Sequence, residues 1–468
     1  MKFASEWRST VVLPWVLISF IIIALAAALQ PPPAMAADTA QAEFKSILHD
    51  SLEALWTGQE FSPALIKRQE KMKAMLNSGA VDKGQLEDMI KTILPPFFDR
   101  HQTNRYILKN IPERANALFT PVISWDELKL IIWRTITLPV DKDDPLFIKV
   151  GTLAPPGTPW LSVPETITFP EIERLSDKRV QIKIFGGGVM GEDTDILRKM
   201  DIGQLDCCGC TAIGVLAGSP DTSALLMPGL FNNYEEVDYI CEKFRQRLDQ
   251  GFESKGYILA ALIDTGYFYI FSKNKISSLA DVKKQKILTW FGNVETGLYQ
   301  ELGINATPVA VPEVVSALST GLADTNLAPA AWMLGMQAYQ YANYYLKPPL
   351  LYSPAAIIVS LRTKDRLQKQ AGISATYAFN VQEMIIYEFN AVEPEWKRQI
   401  REYEQKSLRA FESKCGIKPI TLSSEDQQRI KEASKAMEQK LAGKVFPGDL
   451  LDDMQKALEE YRARPKTP

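Results

Sequence analysis

Few residues in this chain are suited to chemistry, and their spacing narrows what they could do. There are only two histidines, His49 and His101. Both lie far upstream of the segments where strands and helices alternate. A Ser-His-Asp or Cys-His relay, or a histidine-based metal centre, would need one of them to reach a distant cleft. Of the five cysteines, three fall in Asp206-Cys207-Cys208-Gly209-Cys210, with Cys241 and Cys415 apart. Zinc and redox sites usually space their cysteines more widely and add a second pair or a histidine. This short apolar run reads as a strand in which cysteine is a small buried hydrophobe; a disulfide or a reactive thiol is the alternative. Gly186-Gly187-Gly188-x-x-Gly191 follows a strand, as phosphate loops do. It has neither the lysine of G-x-x-x-x-G-K-[ST] nor the G-x-G-x-x-G spacing, and reads as a tight turn. Asp264, Glu295, Glu313 and Asp324 stand at expected loop or helix starts, where capping accounts for carboxylates. No catalytic residue, metal ligand or cofactor site is assigned.

The elements that must position these residues are legible from hydrophobic period. Val180-Gln181-Ile182-Lys183-Ile184-Phe185 alternates apolar and polar, as a strand with one more buried face does. The glycine turn follows, and Asp193 or Thr194 is placed to cap a helix carrying Ile196, Leu197 and Met200. Phe147 to Leu153 is a similar strand, followed by Ala154-Pro155-Pro156-Gly157-Thr158-Pro159-Trp160. Two strand-loop-helix units in succession predict a parallel α/β lobe with ligands at the loops beyond the strand ends. Further strands are expected at 257–263, 267–271, 286–290, 306–309, 324–328 and 354–360. Helices are expected at 293–302, 383–414 and 424–441. Tyr267, Phe268, Tyr269, Phe271, Trp290 and Phe291 make an aromatic-dense stretch, which core packing or a ligand face would each explain.

The N-terminus reads as an address. Lys2 and Arg8 precede an apolar run from Val11 to Leu29, and Ala34-Met35-Ala36 fits a small-x-small cleavage site. A cleavable signal peptide over 1–36 is expected, with an uncleaved anchor as the alternative because the apolar run is long. Residues 38–146 carry amphipathic helical runs stopped at Pro95-Pro96, and Trp125 to Trp133 is too uniformly apolar to choose helix or strand. The formal net charge of −3, with no concentrated basic patch, argues against nucleic acid as a partner.

Taken in order, the motifs resemble the DctP-type periplasmic solute-binding proteins of TRAP transporters. Gly151-Thr152-Leu153-Ala154-Pro155-x-Gly157-Thr158-Pro159-Trp160 resembles the family's first ligand loop. Phe185-x-Gly-Gly-Val-Met-Gly191 with Leu197-Arg198-Lys199-Met200 and Ile202 to Asp206 resembles its second unit. Pro228-Gly229-Leu230-Phe231, Leu279-x-Asp281-Val282-Lys283 and Pro312-Glu313-Val314-x-x-Ala317-Leu318-x-Thr320-Gly321-x-x-Asp324 follow. The resemblance runs from about Ile148 to Arg464.

It implies a two-lobed α/β fold of type II-like periplasmic binding proteins, with a hinge and long C-terminal helices; the helical N-terminal region lies outside the match and precedes it. Lobe I would take 147–265 and lobe II 266–349, each with part of 350–468, closing around a solute. The implied function is delivery of a small organic solute to TRAP permease membrane subunits from the periplasm, without chemistry. Acid-binding members carry an arginine that clamps the substrate carboxylate; Leu288 stands at that position here. The expected ligand is therefore partly apolar, held by Trp160, Tyr267, Tyr269, Trp290 and Trp332, with polar contacts from Thr158, Thr211 and Asn326. The alternative is an interaction or scaffold protein that kept the fold and lost solute binding. Under either reading, residues 38–146 are expected to be a docking or self-association module, or a packing extension of the first lobe.

Overall fold

The computed structural model describes residues 62–68, 70, 124–137, 144–289 and 292–464. The expected leader, most of the 38–146 region and Trp290 lie outside the described residues. Among the described residues, no helix is long and apolar enough to cross a membrane. The chain divides into two compact units. The first takes the described residues up to Leu146 with Glu171–Gln181 and Lys364–Ala391; the second takes Phe147–Pro170, Ile182–Thr363 and the residues from Val392 on.

In the first unit, the segment whose period was ambiguous forms a helix, Trp125–Thr137. Its start explains the choice. The Ser124 hydroxyl accepts from the Glu127 amide at 3.2 Å while the Glu127 carboxylate accepts from the Ser124 amide at 3.0 Å, a reciprocal cap. Trp133 is buried against Tyr387, ring centroids 6.0 Å apart. Lys129 bridges Glu171 and Glu388. Burial opposes ionisation of Glu171, but hydrogen bonds from Arg174 and Lys129 overcome it and bring its pKa down to about 2.

The second unit is built on a mixed sheet, whose first two strands each begin with residues of the first unit. Its strands are β1 (Leu146–Thr152), β2 (Val180–Phe185), β3 (Cys207–Cys210), β4 (Tyr257–Ser272), β5 (Ile287–Thr289), β6 (Ala306–Pro308), β7 (Thr325–Pro329), β8 (Tyr344–Lys347), β9 (Leu351–Ser360) and β10 (Lys418–Thr421). The order is β2-β1-β3-β9-β4-β7-β5-β6, with β8 joining β4 and carrying β10. β1 and β3 are parallel, as are β5 with β6 and β7. The expected parallel pairing is therefore present on both flanks. The sheet as a whole is mixed because β9 runs antiparallel to β3 and to β4, and β4 antiparallel to β7. Helices follow the flanking strands, and Asn293–Leu302 and Ser424–Leu441 have the bounds expected from sequence. The long C-terminal helix is Ala375–Ser413.

Two local expectations are corrected. The helix Asp193–Asp201 is capped by Glu192, in a reciprocal box with Asp195, and not by Asp193 or Thr194. The strands expected at 257–263 and 267–271 are one strand, β4, buried along all 16 residues. Asp264-Thr265-Gly266 is a bulge inside it, where the register against β9 shifts between Asp264 and Gly266. Gly266 takes φ +115, and a Cβ there would lie 2.9 Å from the Glu404 carboxylate. Gly266→Ala is expected to destabilise the fold by about 1–3 kcal/mol. A urea unfolding midpoint shared with the wild type would contradict that.

Candidate functional site

The parallel strands of the first flank end at a pocket enclosing about 460 Å³ of empty space, solvent at its mouth included. β1 brings Thr152 and the loop Leu153-Ala154-Pro155. β3 brings Gly209 and Cys210, and Thr211 caps the helix that follows. β4 and β9 form the floor with Ile263, Thr265 and Ala355 to Ile357, and three indoles close the sides, Trp160, Trp332 and Trp396.

The polar atoms of this wall are already committed. The Thr152 hydroxyl donates to the Gly209 carbonyl at 2.7 Å, that of Thr265 to the Pro354 carbonyl at 2.9 Å, and that of Thr211 to the Asp193 carboxylate at 2.7 Å. Trp160 Nε1 donates to the Asp264 carbonyl and Trp396 Nε1 to the Pro159 carbonyl, each at 2.8 Å. The hydroxyls keep acceptor lone pairs, and these two indoles contribute ring surface rather than N–H groups. No Lys, Arg, His, Asp or Glu is among the lining residues.

Charge stands behind the wall. Asp193 is fully buried; its Oδ2 accepts from the amides of Thr211 (2.8 Å) and Gly214 (3.0 Å) as well as the Thr211 hydroxyl. Burial pushes its pKa up to about 7. Asp264, expected as a cap, sits mid-strand with no exposure. It accepts from Arg401 Nε at 2.7 Å and the Tyr352 hydroxyl at 2.8 Å. Arg401 also holds Asp238 with two bonds of 2.6 and 2.7 Å. This guanidinium serves protein carboxylates, not the pocket.

Of the residues singled out from sequence, Trp160, Thr211 and Trp332 meet at the pocket. Thr158 is buried beside it; its hydroxyl donates to the Pro155 carbonyl at 2.6 Å and shapes the loop. Tyr267 and Tyr269 are elsewhere. Each residue of a strand faces opposite its neighbour, so a one-residue bulge reverses every side chain beyond it. Ile263 and Thr265 face the pocket; after the bulge Tyr267 packs on Tyr352 and Tyr234, and Tyr269 on Tyr345. Leu288 is fully buried in β5, and Asn326 is buried in β7 with its Nδ2 3.8 Å from Met333 Sδ. Trp290 lies outside the described residues. Thr152, Thr265 and Trp396 were not anticipated. Thr152 lies in the first loop motif and was within reach; nothing local distinguishes Trp396 within its helix.

The glycine turn is no anion cradle. Gly187 and Gly188 direct their amides to the carbonyls of Ala154 and Thr152, both at 3.1 Å, and Gly191 to that of Gly188 at 2.9 Å. The cysteine cluster differs from its first reading in one respect. Cys207, Cys208 and Cys210 are buried as expected, but Cys208 and Cys210 are joined as a disulfide.

Comparison with known proteins agrees with this architecture. A curated protein described as a solute-binding protein, from Verminephrobacter eiseniae, is 24% identical over 210 residues, 44% of this chain and 63% of that relative. The chain thus spans somewhat under two thirds of the curated relative's length. The sugar acid binding protein DctPAm of Advenella mimigardefordensis, in complex with galactonate, superposes with a TM-score of 0.61 at 19% identity. It covers 68% of this chain and 99% of that one. A TRAP periplasmic solute-binding protein from Desulfovibrio salexigens with bound orotic acid gives a TM-score of 0.58 at 19% identity, with the same two coverages. These likenesses establish the two-lobed α/β fold. The model of the DctP family, bacterial extracellular solute-binding protein family 7, matches residues 153–444, and the chain belongs to that family.

Proposed function

We propose that this chain is the periplasmic receptor of a TRAP-type importer and that its solute is an uncharged, largely apolar organic molecule. One observation carries the reading: three indoles line the pocket, no ionic side chain does, and its hydroxyls already donate within the protein. The two solved relatives above hold galactonate and orotic acid, which are anionic near neutral pH. A carboxylate in this pocket would lose its hydration and meet no cation among the lining residues, a cost of several kcal/mol. Leu288 at the expected clamp position adds to the argument. A flat or cyclic apolar ligand would gain from stacking and from burial.

In this proposal the lobes keep the bounds 147–265 and 266–349, sharing 350–468. The chain reaches the periplasm through a cleaved leader and hands its solute to permease membrane subunits. It has no catalytic step and no nucleic-acid partner. Residues 38–146 would serve protein contacts or self-association.

Native mass spectrometry of protein purified without denaturation identifies a co-purified solute, and thermal shift against neutral aromatics, terpenoids and organic acids ranks the classes. Trp332→Ala is expected to weaken the solute so identified about 10- to 100-fold by calorimetry. Stabilisation by sugar acids alone would overturn the reading, as would stabilisation by a partner protein and by no small molecule.

A further inference from the structure

Cys210 reaches the pocket, and behind it lies a cluster to which the proposed solute contacts assign no role. Cys208 and Cys210 alternate with Gly209 along β3, so both sulfurs leave the same face. Asp193, the first residue of the helix Asp193–Asp201, meets them there. One donor atom from each of Asp193, Cys208 and Cys210 lies within 4.8 Å of the others, and all three residues are buried. The carboxylate is unevenly served. Its Oδ2 accepts three hydrogen bonds, while its Oδ1 is buried and has no partner. A buried carboxylate oxygen with no donor is costly, and a cation is one way to satisfy it.

We propose that Asp193, Cys208 and Cys210 form a redox-gated site for a thiophilic divalent cation of the zinc group. Two thiolates and a carboxylate suit that group, whose bonds of about 2.0–2.3 Å bring neighbouring ligands to roughly 3.5–4 Å. Release of the disulfide and small rotations of two Cys side chains would reach that spacing. As the disulfide, the pair offers no thiolate and the site is closed. A dithiol opens it: the reductant gives two electrons and two protons, the S–S bond breaks, and the reductant leaves as its own disulfide. The cation then displaces both thiol protons as it binds. Because Asp193 Oδ2 holds Thr211, a pocket residue, filling the site acts directly on the pocket wall.

The test uses the full chain, oxidised or reduced with dithiothreitol and desalted without oxygen, titrated with Cd²⁺. Reduced protein is expected to bind one equivalent with a sulfur-to-cadmium absorption band, and oxidised protein none at the same concentrations. Cys208→Ser should abolish the band and Asp193→Asn should weaken binding at least tenfold. Circular dichroism confirms that each variant is folded, and the oxidised–reduced comparison needs no variant. The proposal fails if reduced protein, with two additional titratable thiols, gives no band. It fails equally if the band persists in Cys208→Ser, which would assign it to Cys207, Cys241 or Cys415, or if Asp193→Asn binds as tightly as the wild type.

Discussion

Arg401→Ala is expected to cost about 3–5 kcal/mol of folding stability, because it strands a buried charge. Asp264 has no side-chain exposure, and it pairs directly with Arg401, itself 20% exposed, at 2.7 Å. Truncation leaves the Asp264 carboxylate with the hydrogen bond from the Tyr352 hydroxyl and leaves Asp238 with Lys397 at 3.6 Å. The effect should reach the pocket, since the Asp264 carbonyl anchors Trp160. Adding Asp264→Asn removes the stranded charge, so the double variant should be more stable than Arg401→Ala alone. Urea unfolding of the four proteins measures this. A single-variant loss below about 1 kcal/mol, or a double variant no better than the single, would show that the pair is not the buried anchor we describe.

The second large effect depends on pH. Glu404 is buried in the long helix; its carboxylate accepts from the Tyr234 hydroxyl at 2.5 Å and the Tyr267 amide at 2.9 Å. Burial raises its pKa from 4.5 to about 7; the two hydrogen bonds and Arg401 pull it down, and Asp264 pushes it up. Folding raises this pKa, so the folded chain binds the proton more tightly than the unfolded one. The stabilisation is complete below about pH 4.5 and is lost as pH rises through 7. The size is about 3 kcal/mol, from roughly 1.4 kcal/mol per unit. Glu404→Gln stays neutral and should lack this loss. Melting temperatures of both proteins from pH 5 to 8 should therefore diverge, with the wild type falling relative to the variant. Parallel curves would mean that Glu404 does not change protonation in that range. The difference matters because Asp193 and Glu388 also titrate near 7 and cancel only in the comparison.

Part of the pocket's lining was readable from particular residues. Leu288 was the ground for expecting an apolar ligand; it is buried in β5 and is not among the residues that line the pocket. The first loop motif led to Trp160, and the ends of β3 and β7 led to Thr211 and Trp332. Tyr267 and Tyr269 show where such reading stops. Both lie on an aromatic strand of correct period, and both face away from the pocket because one extra residue intervenes at the bulge.

By itself, the sequence determined the strands and helices whose signals are local: alternation in Val180–Phe185, the 3.6-residue period of Ser424–Leu441, and the glycine turn with its positive φ at Gly187, Gly188 and Gly191. It also determined the family, through motifs kept in order. Only the tertiary structure decided that β4 is one strand with Asp264 at its centre, and that Arg401, 137 residues away, neutralises it. The same holds for Trp396 in the pocket and for Cys208 and Cys210 beside Asp193. The reason is physical. Period and capping act over a turn or a pleat and leave a pattern in neighbouring residues. Burial of a charge, the facing of a strand beyond a bulge and the closure of a pocket depend on partners that the chain brings together only when it folds.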